Sequence, residues 1–325
     1  MAVKTQFSPQ QFQEILGRYD LGAFRSAEPV VRGSVQTNYV LHTTSGRYIF
    51  RYYENRTRES VLFESSLLQH LTQHGYPCPQ PYTDRSGEAV GEYRGKPFLI
   101  SEFIAGEHLE NPGEAGRRLL IQKAAELQKL TRGYRPPYHE YRRNYSPDLC
   151  RTLARDAAAH LNTPDAQAKL AWFERALEGL ELPAGLPEGI CHCDFHFSNI
   201  LFRDGSFAAL LDFDDANYTY LCYDLATLVN PFREGFDWDT WQRFDPREDV
   251  FDFRDARWVV REYQRHRPLE QVEREHFFDV YRLSILIDGN WYFARGPASD
   301  FYEKRKIDYL DRLGRERFNA EVVGN

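Results

Sequence analysis

Two acidic side chains and one amide stand at a spacing that phosphoryl chemistry can use. The segment Ile190-Cys191-His192-Cys193-Asp194-Phe195-His196-Phe197-Ser198-Asn199 reads H-x-D-x-x-x-x-N, and thirteen positions after Asn199 comes Asp212, in Leu211-Asp212-Phe213-Asp214-Asp215. Phosphoryl transfer needs a carboxylate to orient the attacking hydroxyl and take its proton, and hard oxygen ligands to hold Mg2+ on the nucleotide phosphates. A carboxylate and an amide five residues apart can bracket one small loop, with Asp194 at the nucleophile and Asn199 at the metal. A hairpin between Asn199 and Asp212 would return the chain so that Asp212 reaches the same metal from the other side. Apolar strands on both arms would hold these polar groups rigid, as pre-organised catalysis requires.

Each residue alone has a plainer reading. Asp194 and Asn199 suit turns and caps, and Asp214 with Asp215 suits a solvated bend. The joint pattern favours chemistry: a His two before the Asp, an Asn five after it, an Asp-Gly turn, and an Asp following an apolar strand. His192 follows the apolar run Gly189-Ile190-Cys191, which favours a histidine fixing the loop through hydrogen bonds over a catalytic base. Asp224 opens a predicted helix and reads either as an ordinary N-cap or as a brace for the catalytic loop. Cys191-His192-Cys193 offers zinc-ligand types, but a structural zinc site needs a second, separated pair and none is visible.

The elements that must position these residues change character along the chain. Ser26 to Val31, Asn38 to His42 and Tyr48 to Tyr53 are β-rich runs, with turns at Arg32-Gly33-Ser34 and Thr43-Thr44-Ser45-Gly46. Arg58 to His74 has helical spacing, and Glu88 to Tyr93 and Lys96 to Phe103 are two further strands across an Arg94-Gly95 turn. After Ala105-Gly106 most of the chain reads as helix: 114–131, 148–160, 164–180, 224–230, 252–265, 270–295 and 301–318. One hairpin interrupts, Ile200 to Phe202 with Phe207 to Leu211, across Asp204-Gly205. The expectation is an α+β, bilobal protein: a small β-rich N-lobe over 1–104 and a larger, mostly helical C-lobe over 105–325. Sites often form at such domain boundaries.

Composition narrows the class. The 325 residues are 42% hydrophobic and 27% charged, with 41 Lys and Arg against 48 Asp and Glu, a net charge of −7. That is ordinary globular chemistry. An acidic total argues against nucleic-acid or membrane-surface partners and suits a neutral or cationic small substrate. Five cysteines in a long chain do not make a secreted disulfide framework. The start, MAVKTQFSPQQF, has no basic stretch leading into an apolar run, and no segment nears the ~20 apolar residues of a membrane span. The expected location is the cytoplasm. Nothing in the sequence speaks to oligomeric state.

With His192, Asp194, Asn199, Asp212 and the run DFDDANYTYLCYDLATL in place, the chain resembles the aminoglycoside phosphotransferase and choline kinase superfamily, small-molecule kinases with a protein-kinase-like fold. The stretches SPQQFQEILGRYDLGAF, TNYVLHTTSGRYIFRYYENR and LLQHLTQHGYPCPQP look like the bacterial homoserine kinases of that superfamily. The resemblance implies that Asp194 is the catalytic base, that Asn199 and Asp212 ligate Mg2+, and that ATP lies between the lobes with its adenine near Ser101, Phe103 and Ile104. A lysine on the third strand usually holds the α and β phosphates and pairs with a glutamate on the following helix; here Arg51 stands in that place and Glu64 is the matching partner. Arginine grips phosphate bidentately but is not a neutral swap for lysine. The phosphate-covering loop falls at Arg32-Gly33-Ser34-Val35-Gln36, where one glycine leaves backbone amides and the Ser34 hydroxyl to serve. Leu127-Gln128-Lys129 departs from the Leu-His common among relatives, while Asp214 in place of the glycine of protein kinases is normal for this branch.

In this superfamily the acceptor pocket belongs to the helical lobe. Candidates are Tyr218, Tyr220, Tyr281, Arg282, Asp288, Trp291, Tyr292 and Arg295. Aromatic and Asp groups suit an ammonium and Arg suits a carboxylate, so a hydroxyl-bearing amino acid, homoserine first, would use both. Core packing is the competing reading for most of these aromatics. Amino alcohols, aminoglycosides, sugars and a protein Ser/Thr side chain are the alternative acceptors to homoserine. A nucleotide-binding pseudokinase scaffold is the alternative from another class, suggested by Arg51 and the glycine-poor loop. With only eleven positions from Asp212 to Tyr223 there is little room for an activation segment, which lowers the protein-kinase reading.

Overall fold

The computed structural model describes residues 4–31, 35–109, 112–230, 232 and 250–324. The chain forms two compact units that interleave along the sequence. The first comprises Met1–Asn111, Arg135–Arg142 and His196–Asp214; the second comprises Pro112–Tyr134, Arg143–Phe195 and Asp215–Asn325.

The first unit opens with a helix that the sequence reading did not anticipate, α1 (Pro9–Leu16). Its signal was present. Ser8 Oγ accepts from the Gln11 amide at 3.3 Å and Gln11 Oε1 accepts from the Ser8 amide at 2.7 Å, a capping box followed by a proline at the first helical position. Strands β1 (Phe24–Pro29), β2 (Thr37–Thr43) and β3 (Arg47–Tyr52) follow, then helix α2 (Arg58–Gln73), then β4 (Val90–Tyr93) and β5 (Lys96–Glu102). They form one antiparallel sheet in the order β1-β2-β3-β5-β4.

Period-two alternation sets the faces. Phe50 and its register partner Ile100 join Phe12, Ile15 and Leu16 of α1 in one apolar cluster. Arg51 and its partner Leu99 therefore point to the other face, where α2 packs on β4 and β5 with Phe63, Leu67 and Leu71 fully buried. Because both faces are covered, β5 is buried continuously from Pro97 to Ser101 rather than alternately.

The hairpin Ile200–Arg203 with Ser206–Leu210 also belongs to this unit. Its turn residues Asp204 and Gly205 both have positive φ, 52° and 73°, as a primed two-residue turn requires. Glu107 and Phe202 exchange backbone hydrogen bonds at 2.8 and 2.9 Å, and the Leu210 amide donates to the Pro77 carbonyl at 2.9 Å. Gly106 permits the first of these approaches: a Cβ there would lie 2.8 Å from the Phe202 carbonyl oxygen.

The second unit is helical: α3 (Gly113–Thr131), α4 (Pro147–Leu161), α5 (Pro164–Glu178), α6 (Tyr223–Leu228), α7 (Phe253–Gln264), α8 (Gln271–Trp291), α9 (Tyr302–Leu313) and α10 (Arg315–Phe318). Ser146 and Thr163 cap α4 and α5, each followed by proline. Helix α8 runs through the core, buried on all sides from Phe277 to Ile287.

Three further features differ from the sequence reading. The helix expected over 301–318 breaks at Gly314, whose φ of 78° a right-handed helix cannot hold. Helix α8 stops at Trp291, ahead of Gly296 (φ 66°) and Pro297, so Tyr292 and Arg295 lie beyond it. A two-stranded ribbon, Glu188–Cys191 with Asn217–Tyr220, pairs segments separated by the loop and hairpin, with Ile190 opposite Tyr218 and Cys191 opposite Asn217. Among the described residues no helix is long and apolar enough to cross a membrane.

Candidate active site

Five of the residues singled out from the sequence meet within the first unit. The hairpin closes as its Asp-Gly turn predicts: the Leu211 amide donates to the Asn199 carbonyl at 2.7 Å, placing the two metal-ligand candidates Asn199 and Asp212 at the ends of one closed loop. Asp212 has φ of +62°, a left-handed conformation that aspartate tolerates better than most residues but that still needs support. Its side chain is 43% exposed and its Oδ1 accepts from Arg51 Nη2 at 2.6 Å.

Arg51 projects from β3 as the register dictates and also lies 4.0 Å from Glu64 of α2. Glu64 is 2% exposed and accepts from the Tyr53 hydroxyl at 2.9 Å. Burial pushes the Glu64 carboxyl up, with the Arg51 charge opposing. Two polar atoms of this pair, Arg51 Nε and Glu64 Oε2, are buried with no hydrogen-bond partner among the described residues.

Asp214 is not an exposed bend. Its Oδ1 accepts from Arg56 Nε at 2.9 Å and its Oδ2 from Gln36 Nε2 at 3.0 Å. Its carbonyl accepts from Arg56 Nη2 at 3.1 Å and from Arg142 Nη2. Burial alone would raise the carboxyl; the Arg51 charge, then Arg56 and the Gln36 amide, reverse this and hold it at about 2. Both carboxylate oxygens are thus committed to side chains. Gln36, Arg56 and Arg142 escaped the sequence reading because nothing local marks them: Gln36 and Arg142 lie 178 and 72 residues from Asp214.

Ser101 is buried in β5, and its neighbour Phe103 has the Arg47 guanidinium 4.0 Å above its ring. Ser34, with Arg32 and Gly33, falls outside the described residues.

The second unit holds His192, Asp194 and Asp224. Asp194 is exposed at the end of the loop that leaves the ribbon, and its amide donates to His192 Nδ1 at 3.3 Å. His192 is completely buried. Asp224 is the second residue of α6 and caps nothing on its own helix. Its Oδ2 accepts from the His192 amide at 2.9 Å and its Oδ1 from the Cys193 amide at 2.8 Å, so it braces the loop. Burial pushes this carboxyl up, against the pull of His192 and of these N–H donors.

Gln128 gives the departure at Leu127-Gln128-Lys129 a structural meaning. Its Nε2 donates to Asp224 Oδ2 at 3.1 Å and its Oε1 accepts from the Tyr263 hydroxyl, which in turn accepts from Arg267 at 3.0 Å. Asn217, also missed from sequence, is 1% exposed and donates to Cys193 Sγ at 3.1 Å while accepting from the Tyr145 amide at 2.9 Å. Cys193 needs such contacts, since its φ is +63° in a non-glycine residue.

The acceptor candidates separate. Tyr281 stacks on Phe318, and Arg282 pairs with Asp311 at 2.8 Å; both belong to the helical core, and the packing reading holds for them. Tyr218 and Tyr220 are half-buried in the ribbon. Asp288 and Trp291 are exposed near the end of α8. Arg295 lies 4.4 Å over the Tyr292 ring, and its carbonyl accepts from Lys169 Nζ at 2.6 Å.

Comparison with known proteins gives the family. The profile of the phosphotransferase enzyme family matches residues 26–269. The chain belongs to that family. It is 33% identical over 314 residues to a homoserine kinase of Methylobacterium radiotolerans, a match spanning 96% of this chain and 89% of that protein. Among solved structures it is similar to amicoumacin kinase in complex with AMP-PNP, Ca2+ and Ami, with a TM-score of 0.63 at 17% identity, covering 95% of this chain and 96% of the other. It is similar also to spectinomycin phosphotransferase in complex with ADP and spectinomycin, with a TM-score of 0.56 at 15% identity, covering 98% and 95%. At those identities the likeness is one of fold, and the fold is the α+β kinase-like one: an antiparallel five-stranded sheet in the N-terminal part and mostly helix after it. As a member of the phosphotransferase enzyme family the chain is a small-molecule kinase that transfers a phosphoryl group to a hydroxyl acceptor.

Proposed function

We propose that this protein uses ATP and Mg2+ to phosphorylate the side-chain hydroxyl of homoserine or a closely similar amino acid. The observation that carries the substrate is the match to homoserine kinase along nearly the whole chain, at 33% identity. In this reading Asp194 orients the acceptor hydroxyl and takes its proton. Arg51 grips the nucleotide phosphates. Its buried, unpartnered Nε gives it a donor to spare for a phosphate oxygen.

Asn199 and Asp212 would hold the cation. The donor set fits: an amide and a half-exposed carboxylate on one closed loop are hard oxygen ligands. Among the described residues no group of three His, Cys, Asp or Glu side chains could hold a metal by itself, so phosphates and water would complete the shell, as is usual for Mg2+. A bound cation would neutralise charge on the transferring phosphoryl group. The exposed Asp288 and Trp291 suit the acceptor ammonium, Arg295 its carboxylate, and Tyr218 the pocket wall. Ser101, Phe103 and Ile104 are assigned to the adenine and Ser34 to the phosphates. His192, Asp214 and Asp224 support the site without reacting. The five unpaired cysteines suit a reducing compartment, and we assign the protein to the cytoplasm.

The test is ADP release with homoserine, serine, threonine, amino alcohols, sugars and aminoglycosides, with Asp194→Asn as control. Homoserine is expected to give the highest kcat/KM, and Asp194→Asn to lower kcat by roughly 10²–10⁴. If no acceptor raises ADP release above the control while nucleotide still binds, the chain is a nucleotide-binding scaffold and the kinase reading is wrong.

A further inference from the structure

The segment Arg135–Arg142, lying between α3 and α4 in sequence, belongs to the first unit, and its last residue does something there that no motif predicts. Arg142 is 8% exposed. Its Nη1 donates to the Ser60 carbonyl at 3.2 Å and to Ser60 Oγ at 2.9 Å. Its Nη2 donates to the Phe213 carbonyl at 3.2 Å and to the Asp214 carbonyl. The guanidinium lies 4.9 Å from the Phe63 ring, which seats it against α2. One buried fork thus joins the first turn of α2 to the two residues after Asp212.

These contacts close a ring. From Arg142 the path runs to Ser60, along one turn of α2 to Glu64, across 4.0 Å to Arg51, and across 2.6 Å to Asp212. From Asp212 it returns through the chain to Phe213, Asp214 and Arg142. Ser60 and Glu64 share a helix face because they are four residues apart. The ring matters because Asp212 sits at φ +62°, a conformation that persists only where its surroundings impose it. The Asp214 carboxylate is taken up by Arg56 and Gln36 and holds its own side of the turn. The carbonyls next to Asp212 are held by Arg142.

We propose that Arg142 is a positioning residue for phosphoryl transfer, fixing the turn that presents the Asp212 carboxylate to the catalytic cation. The proposal rests on the ATP- and Mg2+-dependent reading given above. Partners that orient a metal ligand typically contribute 10- to 100-fold in metal affinity or activity when removed, roughly the size expected here. Lysine at 142 keeps the charge but cannot span Ser60 and both carbonyls, since it lacks the planar fork.

The experiment uses the full chain with a non-hydrolysable ATP analogue and Mn2+ as the spectroscopic cation. Bound Mn2+ is followed by electron paramagnetic resonance, beside thermal melts and steady-state kinetics, for wild type, Arg142→Lys and Ser60→Ala. Arg142→Lys is expected to raise the Mn2+ half-saturation by about tenfold or more and to lower kcat, with the KM for ATP nearly unchanged. Ser60→Ala, which removes the Ser60 Oγ acceptor, is expected to shift the half-saturation in the same direction by less. A purely structural Arg142 would lower the melting temperature and the active fraction and leave the half-saturation of the folded protein at the wild-type value; that result overturns the proposal. If Arg142→Lys does not fold, an unchanged half-saturation in Ser60→Ala overturns it. If the wild type itself binds no cation with the nucleotide, the metal-dependent kinase reading fails and this proposal with it, a result distinct from a working wild type with indifferent variants.

Discussion

Arg51 Nη2 and Asp212 Oδ1 lie 2.6 Å apart, a close ion pair between the third strand and the acidic turn after the hairpin. The same arginine is the partner of the buried Glu64. Two substitutions separate its roles. Arg51→Met leaves Glu64 without its cation and is expected to cost about 3 kcal/mol, read as a fall in the denaturation midpoint. Arg51→Lys keeps the charge but loses the fork; kcat/KM for ATP is expected to fall by about tenfold or more with little change in the melt. Equal kcat/KM in Arg51→Lys and wild type would show that bidentate grip is not used.

Asp214 gives a pH signature. Its folded pKa of about 2 lies below the ordinary 3.8. The stability it contributes is therefore complete above pH 3.8 and is lost as pH falls toward 2, about 2 kcal/mol in all. Asp214→Asn should be less stable than wild type by about that amount at pH 7. The gap should close between pH 4 and pH 2 in urea titrations. A gap that stays constant across that window would show that the Arg56 and Gln36 contacts do not favour the charged form.

Glu303 of α9 has the opposite sign. It is 2% exposed, and its Oε1 has no hydrogen-bond partner among the described residues. Burial raises it from 4.5 to about 7, with its own amide and Lys306 pulling down and Asp288 pushing up. The folded state holds its proton more tightly than the unfolded chain. Folding therefore loses stability as pH rises from 4.5 to 7, by about 3 kcal/mol, and stays level above. Glu303→Gln should match wild type near pH 4 and exceed it by up to about 3 kcal/mol at pH 8, measured by thermal or urea unfolding. A Gln variant no more stable at pH 8 would mean that the carboxylate finds partners when charged.

Gly189 fixes the ribbon that leads into the Asp194 loop. A Cβ there would lie 2.4 Å from the Thr131 carbonyl oxygen and 2.7 Å from Leu221 Cδ2, and backbone cannot give way cheaply. Gly189→Ala is expected to cost about 3 kcal/mol through overpacking and to lower kcat with it, checked by calorimetry and turnover. A melt within a degree or two of wild type would show the ribbon to be more pliant than its contacts suggest.

What could be read from the sequence follows the range of the interactions. Arg51 fell on β3 and Glu64 on α2 because alternation and helical spacing are local signals, and Asp204-Gly205 announced its turn. The signal for helix α1 is equally local, a capping box with Ser8 and Gln11 three apart. The four-residue strands of the ribbon are too short to show a period, and their pairing spans the loop that carries Asp194. The clamp on Asp214 is assembled from Gln36, Arg56 and Arg142, which only the tertiary fold brings together. An arginine joining two carbonyls and a serine leaves no pattern in a sequence.

The hairpin's attachment to the first unit also has a consequence for biogenesis. That unit needs residues as late as Asp214, since the backbones of Pro77 and Glu107 find their partners at Leu210 and Phe202. A ribosome releasing the chain from its amino end would leave the backbone groups of Pro77 and Glu107 without these partners for the time it takes to make another hundred or so residues, the interval in which an incompletely satisfied unit invites misassembly. A fragment cut at residue 111 would inherit the same defect permanently, and supplying 196–214 as a separate peptide is the natural way to restore it.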